Sequence, residues 1–170
     1  MTMIRQLPRA NFSYEKLRTF LIEHLNVVYC VKSHLVERLP EIAEHAHFAD
    51  LRHAIIETME DVQRQIIRMD EIFEVLGTKH ATDKCIENYQ MVETAFSAIH
   101  SQSEDYGMRD LSILFYLQNI ESIEMASFNV LLIAAKRYKN KQIIQLLREN
   151  SDEARADMAL FILLTAKYLG

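Results

Sequence analysis

Glycine and proline are scarce in this sequence, 3 and 2 among 170 residues, and tryptophan is absent. So few turn-formers exclude a fold of many short strands and call for a small number of long helices. Cysteine is nearly as rare. Cys30 and Cys85 are far apart and outside any C-x-x-C pair, which excludes a disulfide-dense scaffold and reads as two buried free thiols in a reducing cytosol. Excess basic charge is missing too: 19 Lys and Arg stand against 24 Asp and Glu, a formal net charge of −5 with no basic cluster, so no nucleic-acid partner is expected. Charges interrupt every apolar run long enough to span a bilayer, and the N-terminus lacks the apolar core of a signal peptide, so no membrane is expected and the location reads as cytoplasmic. There is no Gly-rich phosphate loop, no G-x-S-x-G and no HExxH.

What the chain does have is apolar residues, 49% of the total, laid out with helical periodicity. Residues 1–12 read as a loose arm and 13–170 as one bundle domain. With Ser13 as N-cap, a first helix runs to about Ala46 on the stripe Leu21, Leu25, Val28, Lys32, Leu35, Leu39 and Ile42, with a kink or break expected near Pro40. A second follows the joint at His47–Asp50. Its stripe is Ile55, Met59, Val62, Ile66, Met69, Phe73 and Leu76, with Glu60 and Gln63 beside it and Gly77 as C-cap. Residues 83–102 carry a weaker pattern (Ile86, Tyr89, Val92, Phe96, Ile99) that fits a short crossing helix. The third long helix, about 108–138, has the seam Leu114, Leu117, Glu121, Glu124, Phe128, Leu131 and Ala135, next to an all-apolar stripe through Ile113, Ile120, Ile123 and Val130. The last, about 140–169, has Ile143, Leu146, Asn150, Glu153, Asp157, Leu160 and Leu164. Seams spaced by three and four are how helices pack into bundles.

Each long helix thus places polar groups near mid-length, and buried ionisable groups need partners, protons or a metal. Carboxylates from facing helices are how bundle proteins hold two iron or manganese ions, which makes Glu60, Glu121, Glu124, Glu153 and Asp157 candidate metal ligands. The other reading keeps the apolar stripe of the third helix in the core and leaves Glu121 and Glu124 at its flank. The histidines (His45, His47, His53, His24, His34) have no ligand spacing and read as surface residues. Tyr29, three residues before Lys32, could hydrogen-bond the polar layer.

The runs LNVVYCVKSHLVERLPEIAEHA, MDEIFEVLG, RDLSILFYLQNIESIEMASF and LLRENSDEARAD, in that order and with Lys84-Cys85 between them, resemble the YciF/YciE-type ferritin-like proteins. The resemblance covers residues 20 to about 160. It implies a ferritin-like four-helix bundle with an additional short crossover helix, a dinuclear metal centre and a loosely stress-associated role. The departures fall on the metal centre. The first-helix glutamate of that pattern is Lys32, and an acidic position and a histidine of the second helix are Gln63 and Gln65. The histidine and tyrosine between the two glutamates of the third helix are Ser122 and Ile123, and one of two adjacent glutamates in the last helix is Ala154. A cation at a ligand position repels metal. The expected function is therefore a non-enzymatic bundle with a degenerate, metal-free site and no cofactor. In it Lys32 pairs with Glu60 or Glu121, surplus acids pair with Arg64, Arg148 or Arg155, and a homodimer is plausible from the high apolar content. The alternative is a di-iron or di-manganese carboxylate protein with oxidase, peroxidase or metal-storage activity.

Overall fold

The computed structural model describes residues 10–81, 85, 89–102 and 104–170, with only the backbone at Met91. Among these residues are five helices and no strand: α1 (Tyr14–His45), α2 (Ala49–Val75), α3 (Gln90–His100), α4 (Tyr106–Tyr138) and α5 (Lys141–Leu169). The expected arm lies outside the described residues over 1–9, as do Thr82, Lys84 and Ile86 of the crossover.

Local chemistry sets the helix ends. The Ser13 hydroxyl accepts from the Lys16 N–H at 3.3 Å, Asp105 from Met108 at 3.0 Å and Asn140 from Ile143 at 3.1 Å, each relieving one of the orphan donors of a first turn. At the end of α2, Gly77 adopts φ 68°, and the Thr78 and Gly77 N–H groups donate back to the Phe73 and Glu74 carbonyls at 3.0 and 2.9 Å. That paired closure needs a left-handed residue, which glycine supplies without a Cβ penalty. Pro40 does not break α1, which is continuous from Tyr14 to His45. Pro40 itself is exposed, while buried Leu35, Leu39, Ile42 and Ala43 on either side hold the helix to its neighbours, so packing outweighs the one missing hydrogen bond.

The four long helices form a ring, α1–α2–α5–α4, in which each packs on two others. All four pairings are antiparallel. Arg18 Nε donates to the Leu76 carbonyl at 2.9 Å, while Tyr29, further along α1, reaches back to Asp70 at 3.4 Å. Thr58 meets Asp157 whereas Arg68 meets Glu153, and Gln118 meets Thr165 at 2.8 Å. Tyr14 stacks on Tyr138 while the other end of α1 meets Asp110 through His47. Helices α2 and α4 therefore run in the same direction, and the chain between them must travel back along the bundle. The short α3 lies in that crossover and packs on α4 and α1. His34 Nε2 is 2.6 Å from Glu93, His100 Nε2 is 3.1 Å from Glu41, and the Arg38 guanidinium lies 4.2 Å from the Phe96 ring centroid, which together fasten α3 along the second half of α1.

The crossover also corrects the reading of the cysteines. Cys30 and Cys85 are joined in a disulfide, with Cα atoms 5.1 Å apart across a sequence separation of 55. They looked unrelated because nothing local links them; only the return of the chain alongside α1 brings Cys85 to the middle of that helix.

The core consists of two clusters. One gathers Leu35, Leu39, Leu51, Ile55, Ile113, Leu117 and Phe161; the other gathers Leu21, Leu25, Met69, Phe73, Phe128, Leu131 and Ile143. Along every long helix the boundary between them falls at a polar residue or pair, so a polar layer crosses the bundle at mid-height.

Candidate functional site

The layer is built from one position or pair on each helix. Helix α1 contributes Lys32, α2 contributes Thr58 and Gln65, α4 contributes Glu121 and Glu124, and α5 contributes Asn150 and Asp157, all of them buried. Lys32 has no exposed surface at all, and its ammonium is in an ion pair with Glu124. The Phe128 ring lies 5.8 Å beneath the same ammonium. Burial works against the charged lysine, but the summed attraction of Glu124, Glu121 and Asp157 outweighs it, so its pKa is raised.

The remaining acids sit differently. Among the described residues neither oxygen of the Glu121 carboxyl meets a donor in hydrogen-bond geometry, and burial, reinforced by the charge and close approach of the Glu124 carboxyl, pushes its pKa well above the ordinary value. Asp157 accepts from the Thr58 hydroxyl at 3.1 Å through one oxygen while the other is unpartnered; burial raises its pKa to about 6 despite that bond and the Lys32 charge. One buried cation faces three buried acids, so charge balance in the layer requires protons on two of the three.

The structure brings Glu121, Glu124 and Asp157 together with Lys32 and places the other two candidates elsewhere. Glu60 is exposed, as is Gln63. Glu153 is half-buried at the flank, where the Arg68 guanidinium grips both of its oxygens at 2.7 and 2.8 Å while its Nε reaches Glu149 at 3.1 Å. Lys32 was expected on Glu60 or Glu121 and pairs instead with Glu124, one helical turn further along α4. Arg68, not Arg148, holds Glu153, although Arg64 also comes within 3.8 Å of it. Tyr29 turns away from the layer, donating to Asp70 and stacking on His80 with ring centroids 4.2 Å apart.

Thr58 in the layer, Arg68 at its flank and, away from it, Asp110 escaped the sequence reading. Thr58 and Gln65 are separated by seven residues and flank Val62, a signal of shared facing that the all-apolar register beside it concealed. Asp110, fully buried, accepts from the His47 N–H at 2.9 and 3.0 Å and from the Phe48 N–H at 2.7 Å, which closes the α1–α2 joint at the start of α2. Among the described residues no three His, Cys, Asp or Glu side chains stand together as a metal-ligand group.

Residues 16–167 match DUF892, a domain of unknown function. The chain belongs to that family. Protein YciF of Escherichia coli strain K12 is 26% identical over 136 residues, covering 79% of this chain and 81% of that protein. Among solved structures, the E. coli stress protein YciF superposes with a TM-score of 0.83 at 23% identity, covering 90% of this chain and 96% of that one. YcfI of Rhodopseudomonas palustris gives a TM-score of 0.79 at 24% identity, covering 92% and 97%. These two structural likenesses establish the shared helical fold of the family. No helix among the described residues is long and apolar enough to cross a membrane.

Proposed function

We propose that this chain is a non-enzymatic member of its family, a helical bundle in which the Lys32 ammonium carries the positive charge that a metal pair would bring to the buried acids. The observation that supports this reading is the fully buried Lys32 in its ion pair with Glu124. The residues present do not fit a dinuclear centre. Such a centre draws carboxylates from all four helices, and here α1 offers a lysine, α2 offers Thr58 and Gln65, and the Glu153 carboxylate is held by Arg68. A protein of this kind acts through its surfaces, and the likeness to the E. coli stress protein supports a stress-associated role. Homodimer formation belongs to the same reading. Between Asp110 and Lys136 the only acidic or basic residues of α4 are Glu121 and Glu124, both turned inward, so Phe115, Asn119, Ser122 and Ile123 leave that helix an uncharged outer face.

Metal content after anaerobic loading with iron or manganese, measured by mass spectrometry, tests this reading. The wild-type protein is expected to stay empty, and Lys32→Glu, which restores an acid at the layer, is expected to take up metal and to gain thermal stability from manganese. Near-stoichiometric metal in the wild type that disappears in Glu121→Ala would overturn the proposal and restore the carboxylate-oxidase reading.

A further inference from the structure

Where α1 begins and α4 ends, the two helices leave an open groove of about 600 Å³. Half-buried Leu17, Phe20 and Ala134 form its depth, and exposed Phe12, Val130 and Ile133 form its lips. Apolar recesses of roughly 300–1,000 Å³ with a few oriented polar groups are the usual form of small-molecule sites. The polar groups here are Lys16 and Arg137, and among the described residues no acid lines the groove. Among the described residues neither cation is in an ion pair, whereas Arg38, Arg64, Arg68, Arg155 and Lys167 all are. Lys136, Lys139 and Lys141 follow at the same end of the bundle and add to its positive field.

An apolar trough edged by two uncommitted cations is complementary to an amphiphile with one anionic head. We propose that this groove binds a long-chain fatty-acid anion, its chain laid along Leu17, Phe20 and Ile133 and its carboxylate received by Arg137 and Lys16. The planar guanidinium matches the two oxygens of a carboxylate, and the lysine adds a point charge. The recess admits a free amphiphile where a flat bilayer surface could not follow it.

Titration of the full-length protein with oleate below its micellar concentration, by calorimetry and by displacement of a fluorescent fatty acid, tests the site. One saturable oleate per chain is expected. Methyl oleate, which lacks the charge, and the double variant Lys16→Glu/Arg137→Glu are each expected to bind or be bound about 10- to 100-fold more weakly, the scale of lost charge-assisted hydrogen bonds. Ile133→Glu is expected to abolish binding. All three substituted positions are exposed, so unchanged thermal unfolding separates lost binding from lost fold. Absence of saturable binding, equal affinity for the methyl ester, or indifference to the variants overturns the proposal. So does a wild-type dimer that refuses oleate and dissociates in Ile133→Glu, which would assign the groove to a second copy of the chain.

Discussion

Replacing Lys32 by methionine keeps most of the side-chain volume and removes the charge, so it isolates the ion pair in the middle of the bundle. With the ammonium gone, Glu124 is left as a buried acid without its partner, and Glu121 and Asp157 lose the attraction of that cation. Breaking a fully buried pair by removing one partner costs about 3–5 kcal/mol. For a chain of this size, where 1 kcal/mol corresponds to about 2–4 °C in Tm, the loss is roughly 6–20 °C. The pair itself need not be a net stabiliser, which is why the single variant is not enough. In a double-mutant cycle with Glu124→Gln, the two substitutions together are expected to cost less than the sum of their separate effects, because the second removes the charge the first left stranded. The penalty of Lys32→Met is also expected to be smaller at pH 5 than at pH 8, because Asp157, with its pKa raised to about 6, is ionised at pH 8 and then loses the attraction of Lys32. Urea denaturation of the four proteins at both pH values measures all of these quantities. A Lys32→Met cost below about 1 kcal/mol at pH 8, or a coupling to Glu124 near zero, would refute the claim that this ammonium is committed to Glu124 in a buried layer.

Asp157 gives the wild type a pH dependence of definite sign. Its folded pKa of about 6 lies above the ordinary 3.8, so the native state binds more protons than the unfolded chain between these values. The associated stability is fully present below the lower value and is lost as pH rises through the upper one, a change of about 3 kcal/mol. The difference in stability between wild type and Asp157→Asn is expected to track that window in urea melts from pH 3.5 to 7.5, and a flat difference would contradict it. Asp110→Ala strands the His47 and Phe48 N–H groups at the start of α2 and is expected to cost about 2–4 kcal/mol, with Asp110→Asn losing less because its carbonyl still accepts. Reduction of the Cys30–Cys85 disulfide releases a loop with a sequence separation of 55, and is expected to lower stability by about 2–4 kcal/mol in paired melts with and without reductant. Identical melts would place the linkage outside the cooperative unit.

The sequence made the helices legible, and it made half of the layer legible for a definite reason. On α1 and α4 the polar residues interrupt otherwise apolar seams, and the structure buries those seams residue for residue, from Leu21 to Ile42 and from Leu114 to Ala135. The competing apolar stripe of α4 is buried only in its first half: Ile113 and Ile120 join the core, while Ile123 and Val130 are 49% and 51% exposed. On α2 and α5 two seams of the same period lie one residue apart, and periodicity cannot rank them. Hydrophobicity favoured Met59 and Ile66 on α2, which are half-buried, while the positions facing the layer are Thr58 and Gln65. On α5 the same one-residue step puts Ala154 and Phe161 inside and leaves Glu153 and Leu160 at the flank. The preference for an all-apolar seam is sound for a core that carries no polar layer. Here Lys32 and two glutamates already sit in the core from two helices, and a polar group that cannot reach water is best faced by polar neighbours. Once Glu121 and Glu124 are taken as buried, the register of α2 that offers Thr58 and Gln65 is the consistent one. Consistency between helices, rather than the pattern of any single helix, is what selects the observed seams.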